Sequence, residues 1–115
     1  MLLNLSNHPS NIWPENQIQL ANSLYHVVTD LPFPQINPES NSDELEQLVE
    51  EYEIKIRQTN PTTVHIMGEL TFTYRLVNKL KAIGINCIAS TTERKVTIED
   101  NLKTSQFQFV QFRPY

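Results

Sequence analysis

Five polar or charged residues, Ser90-Thr91-Thr92-Glu93-Arg94, follow directly on an apolar stretch, Ile85-Asn86-Cys87-Ile88-Ala89. They contain none of the glycine or proline that ordinary turns use. The guanidinium of Arg94 is a planar fork of donors suited to bidentate, charge-assisted bonds with a phosphate. Ser90, Thr91 and Thr92 add hydroxyls and N–H donors beside it. The alternative for Arg94 is a surface ion pair with Glu93 or Glu69, worth little. A second cluster, Ser6-Asn7-His8-Pro9-Ser10, follows the apolar start of the chain. A neutral imidazole at His8 could take or give a proton near pH 7; the other reading is a loop histidine bonded to backbone. Asn7, with Ser6 or Ser10, could bond ribose or phosphate oxygens, while Ser10 or Asn11 equally suits a helix cap. At Gly68-Glu69 a glycine lets a ligand approach the backbone, and the helix that follows favours an anion at its N-terminus. Glu69 would oppose a phosphate there, but it could accept from a ribose hydroxyl or an adenine amine, or simply compensate the helix dipole. Thr71, in the same turn, is a ligand candidate, a cap or a surface residue. His65, between Val64 and Ile66, reads as a packed strand residue, and His26 reads the same way. The three histidines lack a spacing such as His-x-x-x-His, so no metal site and no cofactor are predicted.

These residues matter only if the chain brings them together, and its periodicities describe how. Met1 to Leu5 reads as a strand. Pro14 suits the first turn of a helix, and Ile18, Ala21 and Leu24 extend that helix to about Leu24. Tyr25 to Thr29 reads as a second strand. Three prolines between Leu31 and Pro38 forbid regular structure. Ser40 and Asp43 resemble a capping box, and Leu45, Leu48, Val49, Tyr52 and Ile56 carry a second helix to about Thr59, which Asn60-Pro61 stops. Thr63 to Met67 is a β-branched strand. Phe72, Leu76, Val77 and Leu80 mark a third helix, with Gly84 at its left-handed end. Ile85 to Ala89 is a fourth strand, and Arg94–Glu99 with Gln106–Arg113 form an antiparallel hairpin about Asp100-Asn101. The uneven aromatics Phe107, Phe109 and Phe112 suit a hairpin core or a dimer contact. This order predicts one α/β domain over residues 1–115: a Rossmann-like three-layer sandwich with four mostly parallel strands, three helices and a C-terminal antiparallel hairpin. Ligands of such sheets sit beyond the carboxyl ends of the strands, where the winding reverses. Four segments are expected at that edge: Ser6 to Ser10, Asp30 to Pro34, Gly68 to Thr71, and Ser90 to Arg94.

Composition bounds the partners. At 115 residues and 39% hydrophobic, the chain can bury a core without disulfides or metals. It has no apolar run long enough for a membrane span, and its start does not resemble a signal peptide. The single cysteine, Cys87, suits a reducing cytoplasm. The net charge of −4 argues against tracking along a long duplex nucleic acid. It conceals a division: residues 1–54 hold nine acidic groups and no lysine or arginine, while residues 55–115 hold nine basic groups and four acidic ones. The acids concentrated from Glu39 to Glu53 are read as a solvated helix face.

Leu3-Asn4-Leu5-Ser6-Asn7-His8-Pro9-Ser10, the helix bearing Gln17, Met67-Gly68-Glu69 and Ala89-Ser90-Thr91-Thr92-Glu93-Arg94 together resemble small Rossmann-like CRISPR-associated proteins of type III systems. The resemblance implies a CARF-like domain that binds a cyclic oligoadenylate as a symmetric homodimer and cleaves it as a metal-independent ring nuclease. In that chemistry a ribose 2′-hydroxyl attacks the adjacent phosphate and leaves a cyclic 2′,3′-phosphate. By position, Ser6, Asn7 and His8 correspond to the first-strand loop of the pattern, and Thr91, Thr92 and Arg94 to the late loop. The implied roles are proton shuttling for His8, alignment of the 2′-hydroxyl for Asn7 or Ser10, and a phosphate grip for Arg94. Lys95 is the only lysine near either loop, which leaves the activating charge to Arg94. Two other readings stay open: a non-catalytic nucleotide sensor and a protein-interaction subunit.

Overall fold

A computed structural model describes Met1–Tyr115. The elements run β1 (Leu2–Ser6), a 3-10 turn (Ser10–Ile12), α1 (Glu15–Tyr25), β2 (Val28–Asp30), α2 (Ser42–Thr59), β3 (Thr63–Met67), α3 (Leu70–Ala82), β4 (Asn86–Glu99) and β5 (Leu102–Pro114). One five-stranded sheet has the order β2-β1-β3-β4-β5. β1, β2, β3 and β4 are parallel, and β5 returns antiparallel to β4. The winding therefore reverses between β1 and β3, which is where this strand order makes its crevice.

Side-chain alternation along the strands separates two apolar layers. Leu3, Leu5, Val64, Ile66 and Cys87 face α2 and α3, packing with Val49, Ile56, Phe72, Leu76 and Leu80. Leu2 and Ile88 face the other way, onto Trp13 and Ala21. Helices cover both faces of the sheet. No helix is long and apolar enough to cross a membrane.

Local signals set most boundaries. Asn41, rather than Ser40, caps α2: its side chain accepts from the Glu44 N–H while Glu44 accepts from the Asn41 N–H, a complete capping box. The helix ends at Asn60 in the left-handed region. Gly84, at φ +82°, closes the turn after α3. α1 starts one residue later than expected and runs on through Tyr25, ending where His26 takes a positive φ, so β2 begins only at Val28.

The main difference lies at the C-terminal end. The run Ser90–Arg94, expected as a loop between a fourth strand and a separate hairpin, is strand throughout, and β4 is one element of 14 residues. The physical reason is the feature that singled out the run: without Gly or Pro nothing breaks the strand, and Thr91, Thr92, Val96, Thr97 and Ile98 are β-branched. A register irregularity at Thr91/Thr92 is the only interruption in the β4–β5 ladder. Asp100 and Asn101 both carry positive φ, as a two-residue hairpin turn demands.

Candidate functional site

β1, β3 and β4 each place a polar side chain on the face toward α1, deep in otherwise apolar strands. Asn4 and His65 are in register across β1 and β3, and both are almost completely buried. The Asn4 amide donates to Asp30 Oδ1 at 2.8 Å and to the His8 carbonyl at 2.8 Å. Its Oδ1 accepts from Ser6 Oγ at 2.8 Å and meets His65 Nδ1 at 2.9 Å. The orientation of this amide is forced, since flipping it would set oxygen against the Asp30 carboxylate and the His8 carbonyl. His65 Nδ1 must then carry the proton and donate to Asn4. Nε2 is left as an acceptor, 2.7 Å from Ser90 Oγ, which donates to it. Gln17 Nε2 in turn donates to Ser90 Oγ at 3.1 Å. A continuous chain thus joins Asp30, Asn4, His65, Ser90 and Gln17 across five elements.

The environment fixes the charge state of this chain. Burial pushes His65 down to about 4, with the nearby His8 adding to the effect, so the imidazole is neutral near pH 7. Its ring sits edge-on to Trp13 at 5.2 Å and to Phe112 at 5.7 Å. Burial works to raise Asp30, but bonds from Asn4, Ser10 Oγ and the Ser10 N–H outweigh it and hold the carboxyl below its ordinary range. Ser10 thereby ties the loop after β1 to the end of β2, through Oγ at 2.7 Å and N–H at 3.0 Å.

The result is a rigid mouth. Two donors from different parts of the chain converge on the His8 carbonyl, Asn4 Nδ2 at 2.8 Å and Trp13 Nε1 at 2.9 Å, while the Ser6 hydroxyl, whose proton goes to Asn4 Oδ1, accepts from the His8 N–H at 3.2 Å. The side chains of Asn7 and His8 are exposed and free of hydrogen bonds within the chain. Beside them is a concavity of about 230 Å³ lined by Asn4, Ser6, Asn7, Pro9 and Asp30–Phe33. A larger concavity of about 440 Å³ lies at the opposite end of β4, against Asn86, Gly84 and Lys81. We place the candidate site at the smaller one, because the free polar groups and the switch point are there. The Cys87 thiol beside the larger is pushed up to about 11 by burial and is inert near pH 7.

Gly68 and Glu69 hold the structure of this edge. A Cβ on Gly68 would lie 2.3 Å from Phe33 Cζ, so the close approach is made by the Phe33 ring. The Glu69 carboxylate accepts from the Thr71 hydroxyl and from the Thr71 and Phe72 N–H groups, capping α3 and keeping its pKa lowered. The N-terminus of α3 is thus filled by its own carboxylate, and Thr71 serves that cap.

Ser90 belongs to the polar chain, but the residues after it leave the mouth. Thr91 Oγ1 bonds both backbone groups of Gln111 at the ladder irregularity. Thr92 is exposed. Arg94 lies four residues beyond Ser90, about 13 Å further along the strand. Its guanidinium donates to Ser105 Oγ at 3.0 Å and makes no ion pair with Glu93 or Glu69. The first cluster and the start of the second do converge, and the arginine stands outside. Phe109 and Phe112 pack together against Trp13, leaving Phe107 exposed. No three His, Cys, Asp or Glu side chains cluster in a way that could hold a metal. The sequence places Asp30 at this edge, and Asn4 and Gln17 within the resemblance, but it assigns no site role to them or to Trp13, nor the joining role to His65. The available signal was polar residues at Asn4 and His65 inside buried parallel strands, which otherwise read as continuous apolar runs.

One family profile, described as Uncharacterized protein MJ1673 family, matches residues 1–113. No curated protein and no solved structure matches the chain.

Proposed function

On the premise that the chain belongs to the MJ1673 family, we propose that the mouth beyond β1 and β3 binds a cyclic oligoadenylate and that His8 assists its metal-independent cleavage, which would switch off type III CRISPR signalling. The observation that carries this reading is the pinning of the His8 backbone, whose carbonyl accepts from Asn4 Nδ2 and Trp13 Nε1 and whose N–H donates to Ser6 Oγ. The fold immobilises the loop's backbone while leaving two of its side chains free, as a site that must position a reacting group requires. In the reaction, His8 takes the proton of the ribose 2′-hydroxyl as that oxygen attacks the adjacent phosphate. The same proton then goes to the departing 5′-oxygen, and a cyclic 2′,3′-phosphate remains. Asn7 aligns the attacking hydroxyl.

The mouth of a single chain holds two carboxylates, Asp30 and Glu69, both engaged in internal bonds. Phosphate charge there has to be met by exposed N–H groups, by His8, or by Arg94 of the second copy that the resemblance implies. The proposed setting is the cytoplasm. Binding without cleavage is the second reading, favoured by the position of Arg94 away from the mouth.

Incubating the pure chain with cyclic tetra- and hexa-adenylate in EDTA, and following the products by chromatography, separates the readings. Linear products that become scarce in His8→Ala, with affinity retained, are expected. An intact ring bound tightly leaves the sensor reading alone, and no binding removes both.

A further inference from the structure

β5 is an edge strand of 13 residues with nothing on its outer side. Such an edge presents a row of unpaired N–H and C=O groups, which monomeric proteins blunt with short strands, charges or proline. The opposite edge, β2, is only three residues long. In β5 these devices stand only toward the ends, with Lys103 at one, Arg113, Pro114 and a bulge at Val110 at the other; the run between them, Thr104-Ser105-Gln106-Phe107-Gln108-Phe109, contains no charge and no proline. Phe107 is 69% exposed and Val110 53% exposed. From Thr92 to Phe107 the β4–β5 ribbon also has no third strand beside it, and a two-stranded ribbon alone is marginal in water. We infer that the outer edge of β5 pairs antiparallel with β5 of a second copy of this chain, about a two-fold axis at Phe107, making one continuous sheet.

The charges select the partner, and an aromatic pair selects the register. Glu99 and Asp100 make the hairpin tip acidic, Arg113 makes its root basic, and none of the three forms an ion pair within the chain. Two-fold pairing lays the tip of each ribbon beside the root of the other. With the axis at Phe107, that ring meets the partner's Phe107, an aromatic cross-strand pair of the favourable kind. Gln106 then faces the partner's Gln108, and Arg113, beyond the bulge at Val110, comes to lie near the partner's acidic tip. The irregularity opposite Thr91 and Thr92 lies toward the root and leaves Thr104–Phe109 in regular register. This pairing supplies an interface for the second copy in the proposed function, yet it needs no nucleotide, so it can fail or stand separately.

The test is sedimentation velocity on the full chain without nucleotide, at micromolar concentrations. The expected species has twice the 13.4 kDa chain mass. The Gln106→Glu/Gln108→Glu variant places like charges opposite each other twice across the axis and should weaken dimerisation about tenfold or more. The Gln106→Glu/Gln108→Lys variant places opposite charges there and should dimerise at least as well as the parent chain. Within the chain Gln106 faces Lys95 and Gln108 faces Glu93, so the complementary variant also suits its own hairpin. Circular dichroism confirms that both variants fold. A monomeric parent chain, a doubly acidic variant that dimerises undiminished, or a monomeric complementary variant would each overturn the proposal.

Discussion

Acidifying the protein should unfold it through His65, and the size of the effect follows from its burial. The free imidazole titrates near 6.5, and in the fold it is pushed down to about 4. Between those values the unfolded chain binds a proton that the native chain refuses. Stability is therefore full above about pH 6.5 and is lost as pH falls toward 4. A displacement of that size corresponds to about 3 kcal/mol, a large part of the roughly 5–15 kcal/mol typical of a domain. The lowered carboxylates Asp30 and Glu69 add their own losses only at lower pH, below the unfolded carboxylate values near 4. Urea unfolding at pH values from about 7 to about 4.5 measures the effect. Trp13, the only tryptophan and 5.2 Å from the His65 ring, supplies the fluorescence signal. His65→Gln cannot titrate, so it should start less stable by roughly 1–3 kcal/mol for its broken bonds and lose the extra slope between pH 6.5 and 4. If the parent chain and the variant show the same dependence over that window, His65 is not the buried neutral donor to Asn4 described above.

Two further outcomes test the same edge of the sheet. Asn4→Asp sets a carboxylate against Asp30 and the His8 carbonyl, and should cost roughly 3 kcal/mol or more near neutrality. Because the close carboxyl pair raises one folded pKa above its unfolded value, that deficit should shrink as pH falls, whereas the deficit of Asn4→Ala should not; urea midpoints at two pH values decide. Gly68→Ala drives a methyl group into the Phe33 ring, from 2.3 Å. The displaced ring should lower stability by about 1–3 kcal/mol, and an unchanged melting temperature would show that the Phe33 contact is loose.

Much of the architecture was legible because it rests on local chemistry. The β-branched run Thr63–Met67 became β3 without adjustment, and the period of Phe72, Leu76 and Leu80 became the buried stripe of α3. Gly84 took the left-handed turn that only its missing Cβ makes easy. The misreadings share one cause. Ser90–Arg94 was taken for a loop because it is polar, but polarity reports exposure, and an exposed two-stranded ribbon is polar as well. The same error placed Arg94 at the mouth. Its position depends on whether the chain turns after Ala89, and hydrogen bonding to β5, some twenty residues away, decides that.

The sequence by itself determined three helices and the hairpin turn at Asp100-Asn101, since each depends on neighbours within a few residues; the alternation of strands and helices implied parallel pairing but left the strand order open. It also singled out the loop from Ser6 to Ser10, whose Ser6, Asn7 and Pro9 line the concavity at the switch point. Only the tertiary structure decided that Asn4, Asp30, His65, Ser90 and Gln17 form one hydrogen-bonded chain, that Phe33 fills the space over Gly68, and that β5 leaves a long edge open. These are contacts between residues from 25 to 73 positions apart, or close approaches of one element to another. Register between strands creates them, and a one-residue slip would turn His65 to the opposite face of the sheet.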